Sequence, residues 1–396
     1  MIPKQRLILP IACFLLLLTG CWGRREMNDL AIVLAAGIDP AKSGFRVTLQ
    51  VVDPSQMSRN RATNRSPAIL YSGEGATISE AIQRISTKSS RQMYLSHLQI
   101  VLINEQLARR GISEPIDPLI RNPLIRPDAV LAVSRGYSTE AVLALVTPFE
   151  VNPAMDIYKS LRVSEKIWAP SFATRLLDLE MTLLTKGKQP VLTAITLTGN
   201  VKQGRTQSNV EQPLSKGEYR YTGLGVFQGD RLLGWLDEMD SKAFTFLANR
   251  VKRTISHVEC PSGEGFASLE IHSANARMIP RVRQGRPEAV VKLKLKANIQ
   301  EVQCRINLTR ESDLFALQRL AADETRQTIM DGILHVQHQF GSDIFGFGEA
   351  FHHTYPQYWK HWSKDWNKRF AEMPITLELD YRIDKLGKIS SPIHNQ

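Results

Sequence analysis

The chain has 396 residues, 43% of them hydrophobic and 22% charged, a balance that excludes a disordered protein. Its formal net charge of +11 suits an anionic membrane surface. Nucleic acid fits less well, because the basic residues are scattered apart from short clusters at 59–65 and 281–286.

The chain opens with Lys4 and Arg6, then an apolar stretch of 12 residues from Leu7 to Leu18. That order is the layout of an export signal, and the stretch is too short for a spanning helix, which needs about 20 residues. Leu18-Thr19-Gly20-Cys21 resembles a bacterial lipobox. Cleavage is expected after Gly20, with diacylglycerol on the Cys21 thiol; its two chains meet the usual requirement for stable anchoring. No later apolar run approaches spanning length. Processing leaves two thiols, Cys260 and Cys304, both near the ends of expected strands. Export permits a disulfide between them, and two small buried thiols that never pair fit the same pattern.

After this leader (1–20), an N-terminal mixed α/β region is expected over 21–198, as one domain or divisible in two. Residues 31–38 read as a buried strand and 45–51 as an alternating one. Residues 55–66 look like an exposed loop. A short strand at 69–71 precedes a helix capped by Thr77 or Ser79, with Ile78, Ala81, Ile82 and Ile85 on one face. A strand at 97–103, a helix stopping at Gly111, a strand at 129–133 and a helix capped by Ser138 follow. Residues 191–197 give one more strand. Residues 199–217, rich in Gly, Asn, Ser and Pro, are expected to form a linker or exposed loop.

The C-terminal domain, 218–396, opens with a hairpin of 222–227 and 231–235 turning at Gly229-Asp230. A helix near 237–250 and strands at 267–273 and 289–299 come next, the latter with Lys292, Lys294 and Lys296 on a solvated face or protected edge. Ser312 is positioned to cap the longest helix, whose stripe includes Leu314, Leu317, Leu320, Ala321, Ile329 and Ile333. A strand at 375–383 closes the chain. The expected class is α+β: a multi-domain body of mixed sheets with helices packed on them, behind a cleaved lipoprotein signal peptide.

Residues 340–370 hold ten aromatics, among them Trp359, Trp362, Trp366 and Phe370 at helical spacing with Lys360, Lys364 and Lys368 on another side. Burial against a sheet is the favoured reading; a membrane interface or a docking surface are the alternatives. His335 and His338 could share a helix side, with His352, His353 and His361 further on, and Glu349 is the carboxylate considered with them; no fixed ligand spacing and no HExxH occurs, so neither metal nor cofactor is expected. No Gly-x-Ser-x-Gly and no phosphate loop is present. Asp237, Glu238 and Asp240 suit a helix start. No enzyme is expected.

Three segments carry a resemblance. Cys21-Trp22, Arg25-Glu26, Asn28-Asp29-Leu30 and Gly37-Ile38-Asp39 resemble the mature N-terminus of the Ger(x)C family. The run from Gly225 through Trp235 to Glu238 resembles its hairpin segment. Asp343-Ile344-Phe345-Gly346-Phe347-Gly348-Glu349, with Tyr355-Pro356 and Trp359, resembles its C-terminal signature. The resemblance implies a lipoprotein C subunit of a nutrient germinant receptor, required for nutrient-triggered germination and held on the outer face of the spore's inner membrane. Multispanning A and B subunits would be its partners, without nucleic acid. Lipidation at Cys21 is the residue role the family implies. Exposed Asp237, Glu238 and Glu349 are candidate partner contacts, as acidic residues on a basic body. The alternative is an extracytoplasmic solute-binding lipoprotein, although the two halves do not mirror each other as such proteins normally do.

Overall fold

The computed structural model describes residues 29–52, 66, 68–261 and 263–385. The leader, Gly20, Cys21 and most of the expected loop at 55–66 lie outside the described residues. The class is α+β, with two sheets and helices packed on them.

The first sheet contains β1 (Leu30–Pro40), β2 (Phe45–Val52), β3 (Ala68–Gly75), β4 (Gln92–Tyr94), β5 (Ile100–Asn104), β6 (Val130–Ser134), β7 (Thr174–Arg175), β8 (Val191–Gly199), β9 (Gly217–Gln228) and β10 (Arg231–Trp235). Its order is β10-β9-β8-β6-β5-β1-β2-β3, with β4 beside β1 and β7 beside β6. The central strands β1, β5, β6 and β8 run parallel. Antiparallel strands flank them on both sides. Buried on both faces, β5 and β6 read as unbroken apolar runs. Val101 and Ile103 of β5 enter one core, Ile100 and Leu102 the other, the two-residue period of a strand.

The helices start and stop where local chemistry dictates. Thr77 accepts a bond from the Glu80 amide ahead of the helix Ile78–Ile85, and Ser138 does so for Ala141 ahead of Thr139–Leu143. Asp237 caps Glu238–Leu247. These bonds satisfy amides that a helix leaves unpaired.

The second sheet has order β11 (Thr254–Glu259), β12 (Phe266–Arg283), β13 (Arg286–Val302), β14 (Ile375–Lys385). On β13, Val291, Leu293 and Leu295 are buried while Lys292, Lys294 and Lys296 face solvent. β13 lies inside the sheet, so its lysines mark a wet face and no edge. Lys292 pairs with Glu378 on β14 at 3.1 Å. The helix Glu311–His335 covers the apolar face through Leu317, Ala321, Thr325, Ile329 and Ile333. Ser312 does not cap it: Arg310 holds the cap position and makes no side-chain bond there. Cys260 and Cys304 are joined by a disulfide with Cα atoms 5.3 Å apart.

The hairpin at Gly217–Trp235 departs from the sequence expectation. The chain between Gly199 and Gly217 is no linker between sheets; it turns back so that β9 pairs with β8 along the first sheet. Asn209, buried inside the turn, holds it by bonding Val146, Lys216 and Gly217. The core that holds Val191, Leu224 and Val226 of the first sheet also holds Leu293 of the second, with Phe345 and Trp359. The two sheets are therefore fused through a shared interior.

Candidate functional site

The C-terminal signature is built around one carboxylate. Asp343 is fully buried and accepts bonds from the amides of Gly346 (2.8 Å), Phe347 (3.2 Å) and Gly348 (2.7 Å), and from Trp366 Nε1 (2.9 Å). The chain can fold around a single acid in this way because Gly346 takes φ +91°, a conformation that glycine adopts without cost. Burial pushes the Asp343 carboxyl up to about 6, against the four donors, which favour the anion.

The same carboxylate anchors the aromatic segment through Trp366. The sequence spacing of Trp359, Trp362, Trp366 and Phe370 suggests one helix. The structure divides the region into Phe347–Thr354, Pro356–Trp362 and Trp366–Ala371. All four side chains are nonetheless buried. Phe351 packs edge-on against Trp362 at 5.5 Å, and Trp359 against Trp366 at 5.3 Å, geometries that aromatic pairs favour. These four aromatics are core, and they form neither a membrane face nor a docking surface.

The hairpin signature and the C-terminal signature meet. Ser342 Oγ donates to the Phe227 carbonyl at 2.5 Å. Gln189 joins both, donating its amide to the Asp343 carbonyl and accepting from Gly229 through its side chain. The Glu349 amide bonds the Gly187 carbonyl at 3.1 Å. The loop Lys186–Pro190 is thus the splice between the first sheet and the C-terminal helices.

The N-terminal signature has a parallel explanation. Asp39, at the far end of β1, accepts from the Thr139 amide and hydroxyl and from Asn104 Nδ2. A second buried carboxylate therefore pins a helix start to a strand end.

The candidate contact residues fall in two places. Asp237 and Glu238 are exposed on the rim of a cleft of about 390 Å³ that Arg135, Trp168, Arg220 and Trp235 also line. The Arg135 guanidinium lies 5.0 Å above the Trp235 ring, whose Nε1 donates to Glu105. Glu238 shares its charge with Lys242 at 3.6 Å, and burial lowers the Lys242 pKa. Glu349 is half-buried and lines a different cleft with Asp178, Lys188 and Arg250. The three acids form no single site.

Sequence reasoning missed the pair Asp240–His335, at 2.5 Å. Burial lifts the Asp240 carboxyl above its usual range despite that bond. Burial also disfavours charge on His335, but the bonds from Gln339 and Asp240 outweigh it and raise the ring's pKa. The available signal was the sequence separation of Asp240 and His335 at facing helix ends, which no local pattern reads. His338 is exposed. Among the described residues no group of three or more His, Cys, Asp or Glu is placed to hold a metal ion, and no helix is long and apolar enough to cross a membrane.

Two fused α+β units, with signature residues spent on joining strand ends to helix starts, define the class of protein. Residues 23–197 match the family described as "Spore germination protein N-terminal domain", and residues 222–387 match "Spore germination B3/ GerAC like, C-terminal". The chain belongs to the Ger(x)C family of spore germination proteins. It is similar to Spore germination protein KC of Bacillus subtilis (strain 168), 28% identical over 100% of this chain and 99% of that one. It is also similar to Spore germination protein B3 of the same organism, 20% identical over 95% and 96%. Among solved structures, the crystal structure of the GerBC protein matches with a TM-score of 0.58 at 17% identity, over 88% of this chain and 96% of that one. That likeness supports the fold.

Proposed function

We propose that this chain is a non-enzymatic, lipid-anchored subunit of a nutrient germinant receptor, held on the outer face of the spore's inner membrane beside multispanning A and B subunits. The observation that carries the reading is end-to-end kinship with Spore germination protein KC. The lipobox at Leu18–Cys21 supports the anchor, with Cys21 as the lipid attachment point. Asp237, Glu238 and Glu349 remain proposed partner contacts. Because Asp237 also caps a helix, its charge is best removed by Asp237→Asn, which keeps the cap.

The test is affinity capture of the tagged protein from detergent-solubilised spore inner membrane, read by mass spectrometry. Recovery of multispanning A- and B-type subunits in near-equal amounts is expected, and Cys21→Ala is expected to lose both membrane retention and the nutrient response. Recovery of the protein alone, with those subunits present in the extract, would overturn the reading.

A solute-binding role is the second reading. The cleft at Arg135 and Asp237 favours it: Thr222 is among its lining residues, and the Thr222 hydroxyl is buried without a partner among the described residues. Saturable binding of a small solute in calorimetry, abolished by Arg135→Ala, would support it.

A further inference from the structure

We infer that the helix Leu176–Leu184 and the lysines beside it form a surface that lies against an anionic lipid bilayer. The inference rests on the lipid-anchor reading and adds the face of the body that the anchor brings to the membrane.

The helix buries Leu176 and Leu179 and leaves the opposite side uncovered. Leu177, Met181 and Leu184 stand on that side, 39%, 58% and 78% exposed. Their spacing of four and three residues makes a stripe. Lysines adjoin it. Lys186, Lys188, Lys364 and Lys368 all line one open cleft of about 580 Å³ next to the helix end. The nearby ion pairs are Arg175–Asp178 and Arg369–Asp365, and none of the four lysines is ion-paired among the described residues. Glu180 on the helix and Glu349 beside Lys188 offset part of this charge, but four lysines against two acids, unpaired among the described residues, leave a basic excess next to the apolar stripe. That combination matches the boundary between acyl chains and anionic headgroups, where lysine stems lie along apolar surface and their charges reach phosphate.

The tether independently selects the same end of the molecule. β1, β5, β6 and β8 are parallel, so their starts share one end of the sheet. Ala35 pairs with Ile100, Ile100 with Val130, and Ala132 with Thr193, which brings Val191 to the level of Ala35. Leu30 precedes Ala35 by as many residues as Lys186 precedes Val191. The Leu176 amide bonds the Ala129 carbonyl just before β6, so the helix also starts at that end. Three strand spacings separate β1 from β8, roughly 14 Å. Cys21 lies nine residues before Leu30, a length that spans at most about 30 Å. A lipid on Cys21 therefore joins the body at the end that carries this face, within reach of it, and Asn104, Thr139 and Asp39 stand at the opposite end.

The test is cosedimentation with vesicles of phosphatidylcholine alone or mixed equally with phosphatidylglycerol. The body beginning at Trp22 keeps every described contact and carries no lipid. It is expected to bind the phosphatidylglycerol vesicles, more weakly as salt rises, and to leave phosphatidylcholine unbound. Reversal of all four lysines (K186E, K188E, K364E, K368E) should weaken binding by at least about a thousandfold, and M181D with L184D should weaken it as well. Lysine to glutamine at the same positions replaces the reversal if that variant fails to fold by circular dichroism. Equal binding to both vesicles, or binding indifferent to these variants, would overturn the inference. So would a lysine variant that still binds vesicles but no longer captures an acidic protein partner. The anchor reading fails separately: full-length protein that high salt strips from spore membranes as readily as Cys21→Ala has no lipid tether, whatever the vesicles show.

Discussion

Gly348 lies so close to Gly187 that a Cβ on Gly348 would sit 2.7 Å from the Gly187 Cα and 2.5 Å from Trp366 Nε1. This contact joins the splice loop to the C-terminal signature, and its neighbours are backbone or a ring already held by Asp343. They cannot yield without disturbing the buried carboxylate. Gly348→Ala should therefore cost about 2–3 kcal/mol. Gly136→Ala, at φ +77° in open space, should cost only the backbone strain, about 1–2 kcal/mol. Urea unfolding of both variants checks the order; equal losses would mean that the loop contact is soft.

The disulfide between Cys260 and Cys304 closes a loop of 44 residues' separation and ties the end of β11 to the segment after β13. Chain entropy predicts a contribution of about 4 kcal/mol. The replacement Cys260→Ala with Cys304→Ala should lower stability by roughly 2–4 kcal/mol and chiefly loosen the second sheet. Hydrogen exchange would show this as lost protection in β11 and β12 with β5 and β6 unchanged. Uniform loss of protection would show instead that the shared core at Phe345 couples the two sheets into one unfolding unit.

Local chemistry was legible in the sequence. Ser138 was readable as a cap, and Thr77 as one of two candidates with Ser79, because each stands before an amphipathic run. Asp237 was readable only as one of three acids at a helix start, and the burial of Trp359 and Trp366 followed from their apolar area. What the sequence could not reveal was pairing. A hairpin at Gly229 reads the same whether it starts a new sheet or extends an old one, and only the β8–β9 register decides. Ser312 misled because the chain enters its helix two residues earlier, with Arg310 at the cap. There the Asp313 carboxylate turns back to the Asn307 amide. Thr325 was passed over in the long helix because a polar residue can fill a buried stripe position. The role of Asp343 was hidden for a related reason: four donors reach it from Gly346 to Trp366, and no spacing rule links an acid to an indole 23 residues away.

His335 gives a pH dependence of definite sign. Its ring is held above the ordinary histidine value in the folded state, so its stabilising contribution is complete below about 6.5 and disappears as pH rises through the folded value. His335→Gln keeps a donor but does not titrate there. The variant should melt below the wild type at pH 6, with the gap closing by pH 8.5. A gap that is constant across that range would mean that the Asp240 contact does not depend on the imidazolium.

Asp343 acts at lower pH. Its folded pKa of about 6 exceeds the usual aspartate value of about 3.9. Between those values the folded state binds more protons than the unfolded chain, so stability falls as pH climbs from about 4 to about 6 and is flat above. The full change is on the order of 2–3 kcal/mol. Asp343→Asn removes this slope while presenting an amide nitrogen to amide and indole donors, so the variant should be less stable at every pH. Its deficit should be greatest near pH 4 and smaller at pH 7. Urea midpoints for both proteins across this range decide the matter. A deficit that instead grows towards pH 7 would mean that the four donors overcome burial and hold Asp343 ionised well below its usual range.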